Sequence, residues 1–559
     1  MSKGLKIGLL VSGLAIVGLA AFIVMKLMPS TDHLKLIPKD AGFVFTADLK
    51  GLAAKADPEK IKNLKFMKRV SEQLERGGER TKVFKRLQDD PTSAGIDVLQ
   101  DAYAFGQGDL QGDGVFGVVF KVSSASNLEE FLKGVDKGFT VEKGNGYQFV
   151  KIDRHAYLAW NSSAGMLLGS NRGDVSKKAD EFFAQKEDAS ILANKSFKEF
   201  RKKKYDLAIF VNYEGLSALV PRKRGMDDSE TPAPPVDFAM LKGLYVGMTL
   251  SFDNDDITIN SQYYSEDNSK LDAYNVFKEK GLSPEALQMI TNKTVMAIAA
   301  ANIDFKKWYN VVANMEPVKP KMDELRANLG MSDAELQDLL GGEISFAVVD
   351  YKEMPKPKAQ LELEQHLRDM EESFSKQYGG PNGEGYTSSE IEMNRFTPVF
   401  TLNIGVNNKG ALEKLLQKTG LPQQDKMYVS SSMVGDFYFV ETTQGISITN
   451  DKDIATALAQ GGKLNAVPQE PVKSLVSENP ISFYFDLTPS HYSDATHDYL
   501  KKSMGDYSYG RMIAFMKPFK DVTAKGKDMN FTFMLDMEKG DGSNSLYRII
   551  SDIDETFVQ

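Results

Sequence analysis

Two distant passages of this chain repeat one pattern of strand and helix, and this self-similarity limits the possible folds more than any other feature. An amphipathic stretch follows the apolar run 114–122, and another follows the apolar run 396–404. Both stretches have apolar residues at i, i+3 and i+4, and the pattern continues to i+7, which predicts a helix with one buried face. These positions hold Leu128, Phe131, Leu132 and Val135 in the first stretch and Leu412, Leu415, Leu416 and Thr419 in the second.

The match continues downstream through short strand candidates joined by tight turns. Strands that return on themselves form antiparallel sheets, and amphipathic helices between them cover a sheet face. The sequence therefore predicts an α+β fold in two tandem copies, the first at residues 31–281 and the second at residues 282–559. The boundary is placed at Gly281–Pro284, where a helix-ending glycine meets a helix-breaking proline.

The second copy differs from the first by an insertion at about residues 352–394. This segment opens with prolines, contains a charged helix candidate and ends in a glycine-rich stretch. Its helix carries an apolar stripe that needs a surface to pack on, formed by Leu363, Leu367, Met370 and Phe374. Either the stripe folds back onto its own domain, or it binds a partner, as long insertions on a scaffold often do.

The N-terminal 30 residues contain an uncharged apolar run, Ile7–Met25. A helix of this length spans roughly 30 Å, the thickness of the bilayer hydrocarbon, and is longer than the apolar region of a cleaved signal peptide. We expect residues 1–30 to form a cytoplasmic tail and a transmembrane helix that acts as a signal anchor. The lysines around the run favour a cytoplasmic N-terminus, a periplasmic ectodomain and a single pass through the bacterial inner membrane.

Small residues recur in this N-terminal segment at four-residue spacing, at Gly4, Gly8 and Ser12. Such a pattern lets a second transmembrane helix approach closely, although glycines facing lipid are an equally ordinary interpretation. Transmembrane packing through these three residues is therefore a hypothesis.

Composition excludes several classes of function. The net charge of -9 argues against nucleic acid as a partner. The absence of cysteine excludes disulfides, thiolate metal sites, thiol nucleophiles and a lipid-modified N-terminal cysteine.

Two phrases in the first copy resemble a family of cell-envelope proteins of Bacteroidota, many of whose members look like lipoproteins. They are Ile37-Pro38-Lys39-Asp40-Ala41 and Asp90-Pro91-Thr92-Ser93-Ala94-Gly95-Ile96-Asp97, and Val119-Phe120-Lys121-Val122 adds to the resemblance. The resemblance implies an envelope location and an ectodomain without established activity, and it supplies no catalytic residues. This sequence departs from the lipoprotein members because it lacks the cysteine that is acylated.

Candidate catalytic and metal motifs fail on spacing or context. The glycines at 112, 114 and 117 precede a strand rather than opening a helix, so they do not form a dinucleotide loop. His491, Asp494 and His497 recur every three residues, and this spacing turns them away from one another on a helix. We therefore predict no catalytic residues, no metal and no cofactor.

The leading hypothesis is a non-enzymatic, membrane-anchored protein that serves as an interaction or accessory subunit of a cell-envelope membrane complex. Its expected partners are the lipid bilayer, through residues 7–25, and other membrane or periplasmic proteins. One alternative is a periplasmic binding module for a lipid or another apolar envelope ligand, and a hydrolase is the third possibility.

Overall fold

The structure is a computed structural model. It describes residues 32–76, 91–97, 101–108, 114–170, 175–219, 242–290, 295–313, 315, 318–378, 393–424, 427–432, 435–461, 463–464, 468 and 470–557. The strands in these residues are, in chain order, β1 (Phe43–Ala47), β2 (Ala102–Gln107), β3 (Val115–Lys121), β4 (Val141–Lys143), β5 (Gln148–Asp153), β6 (Ala156–Trp160), β7 (Ala164–Ser170), β8 (Leu207–Asn212), β9 (Leu244–Phe252), β10 (Asp256–Ser265), β11 (Ala297–Asn302), β12 (Leu340–Pro355), β13 (Asn394–Val406), β14 (Gln423–Gln424), β15 (Met427–Ser432), β16 (Gly435–Glu441), β17 (Gly445–Thr449), β18 (Ile481–Asp486), β19 (Phe519–Lys527) and β20 (Asn530–Met537).

The α-helices in the same residues are α1 (Leu49–Ala56), α2 (Pro58–Ile61), α3 (Lys65–Arg76), α4 (Ala125–Val135), α5 (Ser176–Ala184), α6 (Lys195–Phe200), α7 (Tyr213–Leu219), α8 (Asn268–Tyr274), α9 (Pro284–Leu287), α10 (Phe305–Ala313), α11 (Lys319–Leu329), α12 (Asp333–Leu339), α13 (Lys358–Tyr378), α14 (Lys409–Lys418), α15 (Lys452–Gly461), α16 (Val472–Glu478), α17 (Asp494–Met516) and α18 (Ser545–Phe557). Helix α17 is interrupted at Gly505, where φ is 78°. Short 3-10 helices lie at Asp32–Leu36, Pro91–Ala94, Glu187–Ala189, Ile191–Ala193 and Pro489–His491.

The chain forms two compact units, and one of them is built from two separate stretches of the sequence. Unit 1 combines residues 1–273 with residues 529–559, and unit 2 is residues 274–528. The last strand and helix of the chain, β20 and α18, therefore belong to unit 1. The prediction of two tandem copies was wrong for this reason: local strand and helix patterns do not determine which sheet a C-terminal strand joins.

The sheet of unit 1 is antiparallel throughout. Its strand order is β4-β5-β6-β7-β3-β2-β1-β8-β9-β10-β20. The main core lies on one face of this sheet and includes the fully buried Tyr103, Phe105, Phe197 and Phe210. A second buried group, which includes Phe120, Leu158 and Trp160, lies on the opposite face beneath α4. Burial of each such side chain contributes about 1.5–3 kcal/mol to folding.

Helix α4, predicted from the spacing of its apolar residues, covers part of unit 1. Ser124 caps it by accepting a hydrogen bond from the N–H of Asn127, and Leu128 and Leu132 are buried beneath it. Gly95, from the second of the two phrases, lies against this N-terminus with φ +74°, and a Cβ there would lie 2.2 Å from the carbonyl oxygen of Ser124. The glycine of this motif therefore allows its backbone to lie close to the backbone at the start of α4.

Unit 2 also has an antiparallel sheet, with the order β14-β15-β16-β17-β13-β12-β11-β18-β19. The strands follow one another along the sheet in the same way as the first nine strands in the order given for unit 1. Separate groups of buried residues form its interior, one around Ile290, Ile298 and Val476 and another around Val440 and Leu458.

The predicted transmembrane helix, residues 7–25, lies outside the described residues, as do Gly4, Gly8 and Ser12. Within the described part of the chain, no helix is both long and apolar enough to cross a bilayer. The predicted layout, a transmembrane helix followed by two tandem copies, is corrected accordingly. The structure has an α+β fold in two units, each with an antiparallel sheet, and the longest described helices are too polar to be membrane spans.

Candidate interaction surfaces

The insertion emerges from the extended ends of two paired strands in unit 2. Strands β12 and β13 stay paired as far as Pro355 and Asn394, with a register shift between Val348 and Asp350. Beyond that pair, the N–H of Lys356 donates to the carbonyl oxygen of Met393 at 2.8 Å. Helix α13 begins two residues later, so its start is fixed to the strand ends.

A chain of polar contacts holds the first turns of α13 against this base. Lys356 Nζ lies 2.7 Å from Glu364 Oε2, and Gln360 Nε2 donates to Glu364 Oε1 at 2.8 Å. Arg395 Nη1, from β13, donates to Gln360 Oε1 at 2.9 Å. The hydrogen bond from Lys356, followed by that from Gln360, lowers the pKa of Glu364. The carboxylate therefore remains charged and keeps this contact at neutral pH.

The apolar stripe predicted on this helix is exposed where the structure describes it. The exposed fraction is 45% for Leu363, 46% for Leu367 and 40% for Met370. Phe374 lies on the same helix, but its side chain is outside the described residues. Exposed large apolar side chains in a row are a feature of protein-interaction sites.

A second apolar surface, which sequence analysis missed, is the part of the sheet of unit 1 that lies opposite the main core and outside the second buried group. Phe45 and Phe116 are 38% and 44% exposed, and Phe533 of β20 is 39% exposed. Partly buried aliphatic residues lie in register between them on this face, namely Ile209, Met248, Leu250 and Ile259. We call this surface the unit 1 apolar face.

The sheet of unit 2 has the same asymmetry. Phe346 of β12 and Phe483 of β18 are exposed and lie opposite Ala299 of β11 on either side. The signal for both faces is present in the sequence, since these strands have apolar residues at successive positions, as in Phe43–Ala47. Such runs indicate strands with two apolar faces, whereas half-buried strands alternate with polar residues.

A partly buried polar cluster in unit 1 surrounds Asp101. The hydroxyl groups of Tyr103 and Tyr205 donate to Asp101 Oδ2 at 3.2 and 3.4 Å. Burial, and to a lesser extent the carboxylate of Asp48, raises the pKa of Asp101, although the two hydroxyls and Arg201 oppose this shift. A carboxyl group of raised pKa is a feature of some catalytic sites. Here, however, both neighbouring tyrosine hydroxyl groups already donate their hydrogen bonds to the carboxylate.

The C-terminal histidines do not converge. His491 Nδ1 lies 2.8 Å from Asp486 Oδ2, whereas His497 Nδ1 lies 2.6 Å from the hydroxyl of Tyr509. Asp494 begins α17, where Ser493 caps the helix and donates to Asp350. Among the described residues, no group of three or more His, Asp or Glu side chains is arranged to hold a metal ion.

One open groove of about 450 Å³ lies in unit 2 between α12 and α14. Leu329, Met331 and Leu415 line it together with Lys414 and Lys418. Lys418 Nζ donates to the carbonyl oxygen of Leu329, so this amine serves the end of helix α11.

Comparisons with known proteins add a family and little else. The profile of a family described as "Domain of unknown function (DUF4836)" matches residues 33–448. The chain is similar to "Structure of crystal form IV of TP0453", with 11% identity over 42% of this chain and 81% of that chain and a TM-score of 0.24. For "Structure of crystal form III of TP0453" the identity is 10%, the coverage 42% and 80%, and the TM-score 0.23. Similarity this low supports no conclusion about fold or function. No curated protein matches the chain.

Proposed function

We propose that this chain, which belongs to the DUF4836 family, is a non-enzymatic interaction protein that binds another protein through helix α13. The observation that carries the proposal is the exposed stripe of Leu363, Leu367 and Met370 on a helix whose first turns are fixed to β12 and β13.

The energetic argument rests on burial and preorganisation. These three side chains are each about half exposed, and a partner that covered them would gain roughly 1 kcal/mol for each. Because polar contacts already hold the helix, binding orders little additional backbone. A rigid helix with an apolar face is a common recognition element for a groove or another helix.

The test uses the full-length protein in the cells that produce it. A photo-crosslinking amino acid at position 370 should give a discrete adduct with another protein, and Leu367→Glu in the same chain should abolish that adduct. Leu325→Glu is the matched control, because Leu325 is an equally exposed leucine on a different helix of unit 2. An adduct that survives Leu367→Glu, or the absence of any adduct, contradicts the proposal.

The proposed location is the cell envelope, with the chain acting as an accessory subunit of an envelope assembly. The support is the sequence resemblance carried by Ile37–Ala41 and residues 90–97. Recovery of the protein with the cytosolic contents after gentle lysis of the envelope contradicts this location.

A second candidate function, binding of a lipid or another apolar ligand, is favoured by the unit 1 apolar face. Phe45, Phe116 and Phe533 project from this face without charged neighbours in register. N-phenyl-1-naphthylamine, an apolar fluorescent probe, should bind the protein and be displaced by a fatty acid. The double variant Phe45→Ser/Phe116→Ser should reduce probe fluorescence severalfold, whereas Leu325→Ser should not. Equal fluorescence in all three proteins contradicts this function.

A further inference from the structure

Helix α17 of unit 2 is a helical hairpin rather than a straight rod. Gly505 interrupts it with a φ of 78°. The hydroxyl of Tyr509 nevertheless lies 2.6 Å from Nδ1 of His497, twelve residues earlier. A straight helix would separate these residues by about 18 Å, so the chain reverses direction at the glycine. We call residues 494–504 the first arm and residues 506–516 the second arm.

The base of the hairpin is fixed to strand β12. Ser493 caps the first arm and donates to Asp350, and the hydroxyl of Thr496 donates to the same carboxylate at 3.1 Å. Further along the arm, the ring of Tyr499 stacks on that of Tyr351 with centroids 4.5 Å apart. The first arm therefore holds the reversal in place from the side of the sheet.

The reversal and the second arm expose apolar and aromatic side chains. All eight residues at the reversal, 501–508, are exposed, and Met504 is among them. Tyr507 is 73% exposed and Phe515 is 42% exposed. Their spacing of eight residues places these two rings on the same side of the second arm. Large apolar side chains exposed together mark a surface that contacts something else.

The charges at this end of the hairpin are mainly basic. Residues 501–517 contain four basic side chains and one acidic side chain, namely Lys501, Lys502, Arg511 and Lys517 against Asp506. The two acidic residues of the first arm, Asp494 and Asp498, lie nearer its base. The chain as a whole has a net charge of -9, so this segment opposes the general charge of the protein. Its charge is complementary to an anionic surface.

The cations lie beside the exposed rings. Lys501 Nζ is 5.5 Å from the ring centroid of Tyr509, and Arg511 Cζ is 5.7 Å from that of Tyr507. In a bilayer surface, aromatic rings sit at the level of the headgroups, and long basic side chains reach the phosphates. Helices that lie in the surface of an anionic bilayer combine these two residue classes.

We propose that the hairpin of α17 docks on the surface of an anionic phospholipid bilayer. Its tip and the outer side of the second arm enter the headgroup region, and Lys501, Lys502 and Arg511 contact lipid phosphates. A projecting tip enters a bilayer between the headgroups, whereas a protein partner would need a matching concave site. The inference goes beyond the proposed function, because it concerns a different helix and does not require the partner of α13.

A fluorophore at the tip tests the inference on the full-length protein. The chain has no cysteine, so Ser508→Cys gives a single attachment site for an environment-sensitive label at an exposed position. The labelled protein is reconstituted into vesicles of phosphatidylcholine alone or with about one quarter phosphatidylglycerol. Emission should shift to the blue and rise about threefold in the anionic vesicles, because the tip leaves water. The difference should shrink in about 0.5 M NaCl, which screens exposed charges.

Matched charge changes show whether the hairpin itself is responsible. Lys501→Glu/Lys502→Glu should remove most of the difference between the two types of vesicle. Lys452→Glu/Lys473→Glu makes the same change in net charge at exposed lysines of α15 and α16 and should leave the difference intact. A label attached through Leu325→Cys, on helix α11, should report water in both types of vesicle.

Three results overturn the inference. The first is equal emission of the tip label in the two types of vesicle. The second is loss of the difference in both double variants, which means that net charge acts without the hairpin. The third is a tip label that stays in water in both types of vesicle but is shielded from iodide in native membranes, which favours a protein partner. The crosslink from position 370 is independent of all three, so the function proposed for α13 is judged separately.

Discussion

Lys356 Nζ, just beyond strand β12, lies 2.7 Å from Glu364 Oε2 in the second turn of helix α13. The backbone N–H of the same lysine donates to Met393 on the returning chain. One residue thus joins the strand ends to the helix. Removing its amine should loosen the helix without disturbing the sheet beneath it.

We expect Lys356→Ala to speed amide hydrogen exchange in residues 358–368 by up to about fivefold, which is the size of effect that a partly exposed ion pair supports. Lys358→Ala is the matched control, since Lys358 makes a wholly exposed pair with Glu362 at 3.5 Å. Unchanged exchange in Lys356→Ala shows that the pair does not hold the helix.

The effect of Lys356→Ala should also depend on pH. The pKa of Glu364 is lowered in the folded protein, first by its hydrogen bond from Lys356. A group of lowered pKa stabilises the folded state above its ordinary pKa, and this stabilisation is lost as the pH falls through the folded value. The difference in exchange between the parent protein and Lys356→Ala should therefore be full at pH 7, begin to shrink near the ordinary pKa of a glutamate, about 4.3, and vanish below the lowered pKa of the folded protein.

Exposure of the stripe makes a prediction about stability. Leu367→Ala should change the free energy of unfolding of unit 2 by less than about 0.5 kcal/mol, because Leu367 is about half exposed. Leu128→Ala should lower the free energy of unfolding of unit 1 by about 2–5 kcal/mol, because Leu128 is fully buried on the inner face of α4. Urea denaturation followed by hydrogen exchange resolves the two units. A cost above 2 kcal/mol for Leu367→Ala means that the stripe packs against its own unit.

Local patterns predicted the elements better than their assembly. The spacing of Leu128 and Leu132 predicted α4, and that of Leu412 and Leu416 predicted α14, because side chains three and four residues apart lie on one helical face. The stripe on α13 was found for the same reason. Its exposure was left open, because periodicity shows which face is apolar and not whether anything covers it.

The exposure of the two apolar sheet faces could not be predicted from the sequences of the strands. Strand β1, with the sequence FVFTA, is apolar at almost every position, and such a run is equally typical of a strand buried on both faces. The sequence alone therefore does not distinguish an exposed Phe45 or Phe116 from a buried one. Their exposure depends on which helices lie over each face, and this follows from long-range packing.

Ionisation of Asp101 should lower the stability of the folded protein as the pH rises. Burial raises its pKa in the folded protein, so unfolding releases a proton between its ordinary and its folded pKa. A group of this kind favours the folded state at low pH and loses that advantage as the pH rises through the folded value. The melting temperature of Asp101→Asn relative to the parent protein should therefore rise between pH 4 and pH 7.

Asp451 serves as a control, because its carboxyl group should give stability the opposite dependence on pH. Burial raises its pKa, but the hydrogen bond from Lys352 and those from the backbone of Ile454 and Asp453 outweigh burial, so its pKa is lowered. Its contribution is present above the ordinary pKa and is lost as the pH falls. Asp451→Asn should therefore destabilise the protein at pH 7 and have less effect near pH 3. Parallel pH profiles for the two variants contradict these assignments.

The contribution of the C-terminal segment to unit 1 can be tested at one side chain. Asp554 of α18 is buried, and its two carboxylate oxygens accept hydrogen bonds from the N–H groups of Lys65 and Phe66, each at 2.8 Å. It therefore satisfies donors at the start of α3, a role that a capping residue usually fills from its own helix. No local pattern reveals a cap supplied from 488 residues away.

We expect Asp554→Ala to lower the free energy of unfolding of unit 1 by about 1–2 kcal/mol, the usual cost of losing a helix cap. Hydrogen exchange in residues 65–69 should accelerate together with exchange in α18, because the contact joins the two helices. Asp554→Asn keeps one acceptor oxygen and should recover part of the loss, whereas Glu555→Ala, at an exposed neighbouring position, should have no effect. If α3 exchanges at the parent rate in Asp554→Ala, the C-terminal helix does not support unit 1 through this residue.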